Sequence, residues 1–256
     1  MHSALFTLAE SNLSYAWGKA FLRVMERGVD EITPLVAQVR IETGDKPLED
    51  PRIRRALDCV LTERGEDDCQ AVANTIFPES LWNRSRPRAE LYARYEQLLP
   101  RLRRYPENRN GLYFQRMIAF NGDQPVNQLE HVITTYLGDN HRRSALQLAL
   151  FDPHEDHTHQ RQRGFPCLQS VTFAPVEGGG LAVTAFYPLQ TVFAKAYGNY
   201  LGLCRLGRFV AHELNLRFTC LTCVAAVATR AAPKSRLADL AEEVASVLSA
   251  AGQPSK

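Results

Sequence analysis

Arg163-Gly164-Phe165-Pro166-Cys167-Leu168-Gln169-Ser170-Val171-Thr172-Phe173 puts a proline directly before a cysteine and a period-two strand directly after it. Pro166 fixes its own φ, offers no N–H and confines Phe165 to extended geometry. Cys167 therefore stands at a rigid strand entrance, close in sequence to the cations Arg161 and Arg163. Positive charge favours the thiolate, the reactive form of cysteine. The plainer alternative is a core cysteine, because free cysteine is among the most buried residue types.

Working outward, the strand runs to Val176, and Glu177-Gly178-Gly179-Gly180 reads as a hairpin turn. A return strand follows over 181–187, with Leu181, Val183 and Ala185 on one face. Beyond it lie an apolar helix over 200–214, a long strand over 218–229, and a terminal helix over 237–248 with Ser235 as a plausible N-cap. Upstream, 152–160 reads as a polar loop, 144–151 as a strand, and 127–137 as a helix with Leu129, Val132, Ile133 and Tyr136 on one side. Residues 113–120 alternate weakly and read as a strand. Helical spacing recurs over 12–28, 52–61 and 88–104, and 33–42 is strand-like. Long antiparallel strands with helices outside them make an α+β pattern, with no internal repeat or linker, so 1–256 reads as a single domain.

A chain of 256 residues with 45% hydrophobic residues can build an ordinary core. The net charge of +2 makes no general case for nucleic acid, and no nucleic-acid partner is expected. Arg84, Arg86, Arg88, Arg94, Arg101, Arg103 and Arg104 cluster; a solvated helix face is the preferred reading, an anion-binding or partner surface the alternative. The first residues show no secretory core, since 3–13 is short and holds Glu10. No apolar run approaches the ~20 residues needed to span a bilayer. The expectation is a cytoplasmic protein whose six cysteines are mostly reduced. Cys220 and Cys223 have CxxC spacing, but they lie in a strand-like run and point to opposite faces, so core packing is the better reading.

Four segments in order resemble thymidylate synthase and its relatives, the pyrimidine hydroxymethylases. Glu79-Ser80-Leu81-Trp82 is similar to the family's Glu-x-Leu-Trp. Gln128-Leu129 through Asp139-Asn140-His141-Arg142-Arg143-Ser144 resembles its helix, Asp-x-x-Arg-Arg turn and strand. Pro166-Cys167 matches its Pro-Cys, and Val192-Phe193 through Gly198-Asn199-Tyr200 is similar to the run before its apolar helix. The resemblance is good over 128–216, thin before Glu79 and poor after Phe218. It implies a large mixed or antiparallel sheet flanked by helices, and a homodimer packed sheet against sheet. It makes Cys167 the nucleophile that adds to C6 of a pyrimidine so that C5 can attack a one-carbon electrophile. Glu79 becomes the carboxylate that moves protons through water. Asn199 would present its amide to the base edge, leaning towards uracil, because an amide both donates and accepts. Arg142 and Arg143 would bind phosphate across the two-fold interface. Gln169, Tyr113 and Trp82 complete the implied substrate-binding set. The implied one-carbon donor is 5,10-methylenetetrahydrofolate, the implied substrate a pyrimidine nucleotide or related heterocycle, and no metal is expected.

The chain also departs from that family. Pro188 and Leu189 stand where it has a phosphate-binding Arg-Ser, and Thr191 where it has a pterin-binding aspartate. Val227, Ala228 and Thr229 fall in the region of its ribose-binding His-x-Tyr, and Leu168 replaces the usual histidine after the nucleophile. Charge-assisted hydrogen bonds contribute ~1.5–3 kcal/mol each, so their loss disfavours an ordinary nucleoside monophosphate. A changed substrate and open folate use are expected, with a catalytically silent homologue as the alternative. His154-Glu155-Asp156-His157-Thr158-His159 is rich in metal-ligand types, yet adjacent residues rarely wrap one ion. A solvated loop near the site mouth is the better reading there.

Overall fold

A computed structural model describes residues 5–108, 110–121, 124–138, 142–159 and 165–252. Strands are β1 (Phe6–Glu10), β2 (Glu31–Ile32), β3 (Leu35–Arg40), β4 (Gln147–Ala149), β5 (Ser170–Val176), β6 (Gly180–Thr191) and β7 (Arg217–Thr229). Helices are α1 (Leu13–Met25), α2 (Pro51–Glu63), α3 (Cys69–Ile76), α4 (Arg88–Leu102), α5 (Tyr113–Ile118), α6 (Gln128–Leu137), α7 (Pro153–Asp156), α8 (Tyr197–Glu213) and α9 (Ala238–Ala251). The protein is α+β, with one mixed seven-stranded sheet in the order β1-β3-β7-β6-β5-β4 and β2 added to β7.

The glycine turn closes the β5–β6 hairpin as its sequence requires. Gly178 and Gly179 both take φ of +73°, a conformation that favours glycine. β6 then runs on to Thr191, a π-helical turn (Val192–Ala196) leads into α8, and β7 returns parallel to β6. β1 pairs parallel with β3, so the sheet is mixed and not purely antiparallel. One face of the sheet is the core: Leu35, Ala37, Val39, Val171, Phe173, Val183, Ala185, Leu221 and Cys223 are buried there. A continuous apolar cluster joins this face to α1, α8 and α9. On the other face, Val36 pairs with Val224, Val224 with Phe186, and Thr222 with Thr184. These residues are half-buried or exposed.

Several sequence expectations are corrected. Residues 113–118 form a helix: Phe114, Met117 and Ile118 are buried at helical spacing, and Phe114 with Ile118 also fits a weak alternation. The 152–160 segment contains α7, and its Asp156 is buried. The 144–151 strand shrinks to three residues after a 3-10 turn (Arg143–Ala145). The apolar helix begins at Tyr197 and not at Tyr200, so Asn199 lies inside it. Ser235 sits in a 3-10 turn, and α9 starts without a side-chain cap. β1 has no counterpart in the sequence reading, because the Phe6–Leu8 alternation lies in a strand of only five residues. Among the described residues, no helix is long and apolar enough to cross a membrane.

Candidate functional site

Strand direction brings the cysteine to the right end of the sheet. β5 is antiparallel to β6, with Ser170 opposite Phe186 and the Gln169 N–H donating to the Phe186 carbonyl at 2.9 Å. Stepping back from Ser170 to Cys167 therefore moves alongside the last residues of β6. The π-helical turn and the first turn of α8 follow that same strand end. Cys167, Tyr187, Leu189, Gln190, Thr191, Lys195 and Asn199 thus line one cavity of about 400 Å³. Irregular helical turns of this kind recur at functional sites. α3 closes the opposite wall with Val72 and Thr75, and Gly198 and Gly202 of α8 permit the approach. A Cβ on Gly198 would lie 2.5 Å from Val72 Cβ, and one on Gly202 2.7 Å from the Ala73 carbonyl oxygen.

The Phe165–Pro166 peptide is cis, and the segment after it is held from α5. Tyr113 Oη accepts the backbone N–H of Cys167 at 3.0 Å and of Leu168 at 3.2 Å. Tyr113 also packs against Phe165, ring centroids 4.9 Å apart. Gly111, at φ +131°, lies so close that a Cβ there would be 2.5 Å from the Phe165 ring. Behind this ring the Arg116 guanidinium sits 4.8 Å from its centroid. Arg116 donates to the Leu150 carbonyl at 2.6 Å and forks onto the Asp156 carboxylate, with 2.9 Å to Oδ1. The histidine-rich segment thus carries an anchor for the Cys167 loop, and among the described residues no group of three metal-ligand side chains converges.

Cys167 is exposed through the cavity, while the surrounding protein raises its thiol pKa by desolvation; Lys195 pulls the other way. Arg161 and Arg163, expected to activate it, lie outside the described residues, as do Asp139, Asn140 and His141. Burial keeps the Tyr113 phenol protonated, far above its ordinary range. Lys195 donates to Asp67 at 2.9 Å. Gln190 is buried and accepts from the Tyr200 hydroxyl at 3.2 Å. Tyr187 is fully buried with no hydrogen-bond partner for its hydroxyl among the described residues.

Of the eight residues expected from the sequence, the cavity gathers Cys167, Asn199 and Tyr113. Glu79 is not in its wall. Its carboxylate is held by Arg205 at 3.0 Å and Arg208 at 2.7 Å, while Pro78, Ser80 and Leu81 line an adjoining cavity of about 330 Å³. Trp82 is a packing residue, edge-on to Phe77 and Phe209 and flanked by Arg84 and Arg208. Gln169 serves the sheet through its backbone, and Arg142 and Arg143 are exposed away from the cavity wall. The arginine cluster is partly internal: Arg88 is held by Glu130 and Glu213, and Arg94 donates to the Leu81 carbonyl, while Arg101, Arg103 and Arg104 stay exposed. Gln190 and Arg116 were missed; a glutamine in an apolar strand and an arginine between apolar helix positions were the available signals. No family model matches the chain, and no curated protein matches it.

Proposed function

We propose that the chain is a divergent enzyme of the thymidylate synthase type, using Cys167 for one-carbon chemistry at C5 of a pyrimidine-like ring. The observation that carries this is the meeting of Cys167, Asn199 and Tyr113 in one cavity, from three segments far apart in sequence. In the proposed reaction the Cys167 thiolate adds to C6, and the C5–C6 electron pair shifts onto the ring carbonyl as an enolate. C5 attacks a one-carbon electrophile, C5 loses its proton to water in the cavity, and expulsion of the thiolate restores the ring. The Asn199 amide would pair with a carbonyl and an N–H on the ring edge. Tyr113, kept protonated by burial and hydrogen-bonded to the Cys167 backbone N–H, would donate to the developing charge. Glu79 takes no direct part, since two arginines hold it outside the cavity wall. Thr191 lines the cavity where a pterin would need a carboxylate, and Asp67 is bound to Lys195, so the described residues do not fit a folate and no step is routed through one.

Incubation with 5-fluoro-pyrimidine nucleosides and nucleotides, with and without 5,10-methylenetetrahydrofolate, followed by intact-mass analysis, tests the chemistry. A covalent adduct present in the wild type and absent in Cys167→Ser is expected. Absence of any adduct supports the second reading, a catalytically silent binding subunit. That reading is favoured by the raised Cys167 pKa and by the position of Glu79.

We further propose a homodimer, open sheet face on open sheet face. Its uncharged central ladder (Val36, Thr184, Phe186, Thr222, Val224) supports this. Light scattering should give twice the chain mass, falling to one in Phe186→Lys; a wild-type monomer at micromolar concentration rejects the pairing.

A further inference from the structure

Among the described residues, the Cys167 cavity wall carries one cation and one anion, Lys195 and Asp67. They are joined at 2.9 Å, so the described part of the wall has no net charge. A phosphate entering here would have to take Lys195 from Asp67 and then lie beside the freed carboxylate. Like charges at such range repel. The neighbouring N-terminus of α3 is also filled. A helix start is ordinarily a ready anion site, but Asp68 accepts the Ala71 N–H at 2.6 Å and Asp58 the Cys69 N–H at 2.9 Å. On the β6 side the wall presents Leu189, an apolar side chain left 48% exposed. Inside are Val72, Leu112 and Phe165. Asn199, only 6% exposed, makes no side-chain hydrogen bond to any described residue. Such an interior suits a flat, uncharged ring with a hydrogen-bonding edge.

We propose, on the ring-binding reading above, that this cavity selects an uncharged ring compound over its phosphate ester, with Leu189 and the Lys195–Asp67 pair enforcing the choice. Selection of this kind is a difference of affinities, reached here by building against the charged competitor.

Calorimetric titration of the full chain with uridine and with uridine monophosphate, at low ionic strength, tests it. Uridine should bind at least about tenfold tighter than its monophosphate. Asp67→Asn frees Lys195 and should narrow that ratio, and Leu189→Arg should reverse it. Both side chains are largely exposed, so neither change should disturb the fold, and circular dichroism verifies this. Tighter binding of the monophosphate by the wild type, or no binding of uridine, overturns the proposal. So does a ratio that neither folded variant alters. Binding needs no thiolate: uridine bound without any 5-fluoro adduct removes the covalent chemistry and leaves the selection standing, while an adduct with preferred phosphate esters does the reverse.

Discussion

Replacing Tyr113 with phenylalanine removes one oxygen and keeps the ring that packs on Phe165. That oxygen accepts two backbone N–H groups, at 3.0 Å from Cys167 and 3.2 Å from Leu168. Cys167 is exposed, so water can take over its amide. Leu168 is fully buried, and its N–H is left without an acceptor. An unsatisfied buried donor costs about 1–3 kcal/mol. For a chain of this size each kcal/mol lowers the melting temperature by about 2–4 °C, so Tyr113→Phe should melt roughly 2–12 °C lower. Differential scanning calorimetry measures this. Amide exchange localises it, with the Cys167 and Leu168 amides losing protection while those of β6 keep theirs. A melting temperature within about 1 °C of wild type, together with unchanged protection at Leu168, would show that the hydroxyl does not hold the loop.

Three further outcomes are expected. Burial raises the Cys167 thiol and Lys195 lowers it, so Lys195→Met should move the midpoint of iodoacetamide labelling to higher pH and slow labelling at fixed pH. A Cys59→Ser background removes the other exposed thiol, and an unmoved midpoint would dismiss Lys195 as an influence. Gly198→Ala should destabilise by about 1–3 kcal/mol in chemical denaturation, because its Cβ would fall 2.5 Å from Val72 Cβ and 2.9 Å from the Cys69 carbonyl oxygen. A neutral result there would mean that α3 and α8 separate freely. Tyr187→Phe should raise the melting temperature of the ligand-free protein, since it deletes a buried hydroxyl that has no partner among the described residues. A lowered value would reveal an acceptor at that hydroxyl.

Local periodicity carried much of the architecture. The β5–β6 hairpin was legible because alternation flanks a glycine turn, and α1, α4, α6 and α9 because apolar residues recur at helical spacing. The cysteine's place before a strand followed from Pro166. Helix α5 reads as a strand because Phe114 and Ile118, four apart, fit both periods, and only burial of Met117 on the same side breaks the tie. The partners of charged side chains were beyond reach for a different reason. Glu79 lies among residues that suggest catalysis, but its two arginines come from α8, 126 and 129 positions on.

What the sequence determined by itself is therefore local: which segments are strands or helices, and that Cys167 stands where a strand begins. Tertiary structure decided what faces that sulfur. The parallel return of β7 beside β6, the Tyr113 hydroxyl 54 residues from Cys167, and the Lys195–Asp67 pair 128 residues apart each join distant segments. Periodicity is a property of neighbours along the chain, whereas pairing and charge neutralisation depend on which surfaces the folded core brings together.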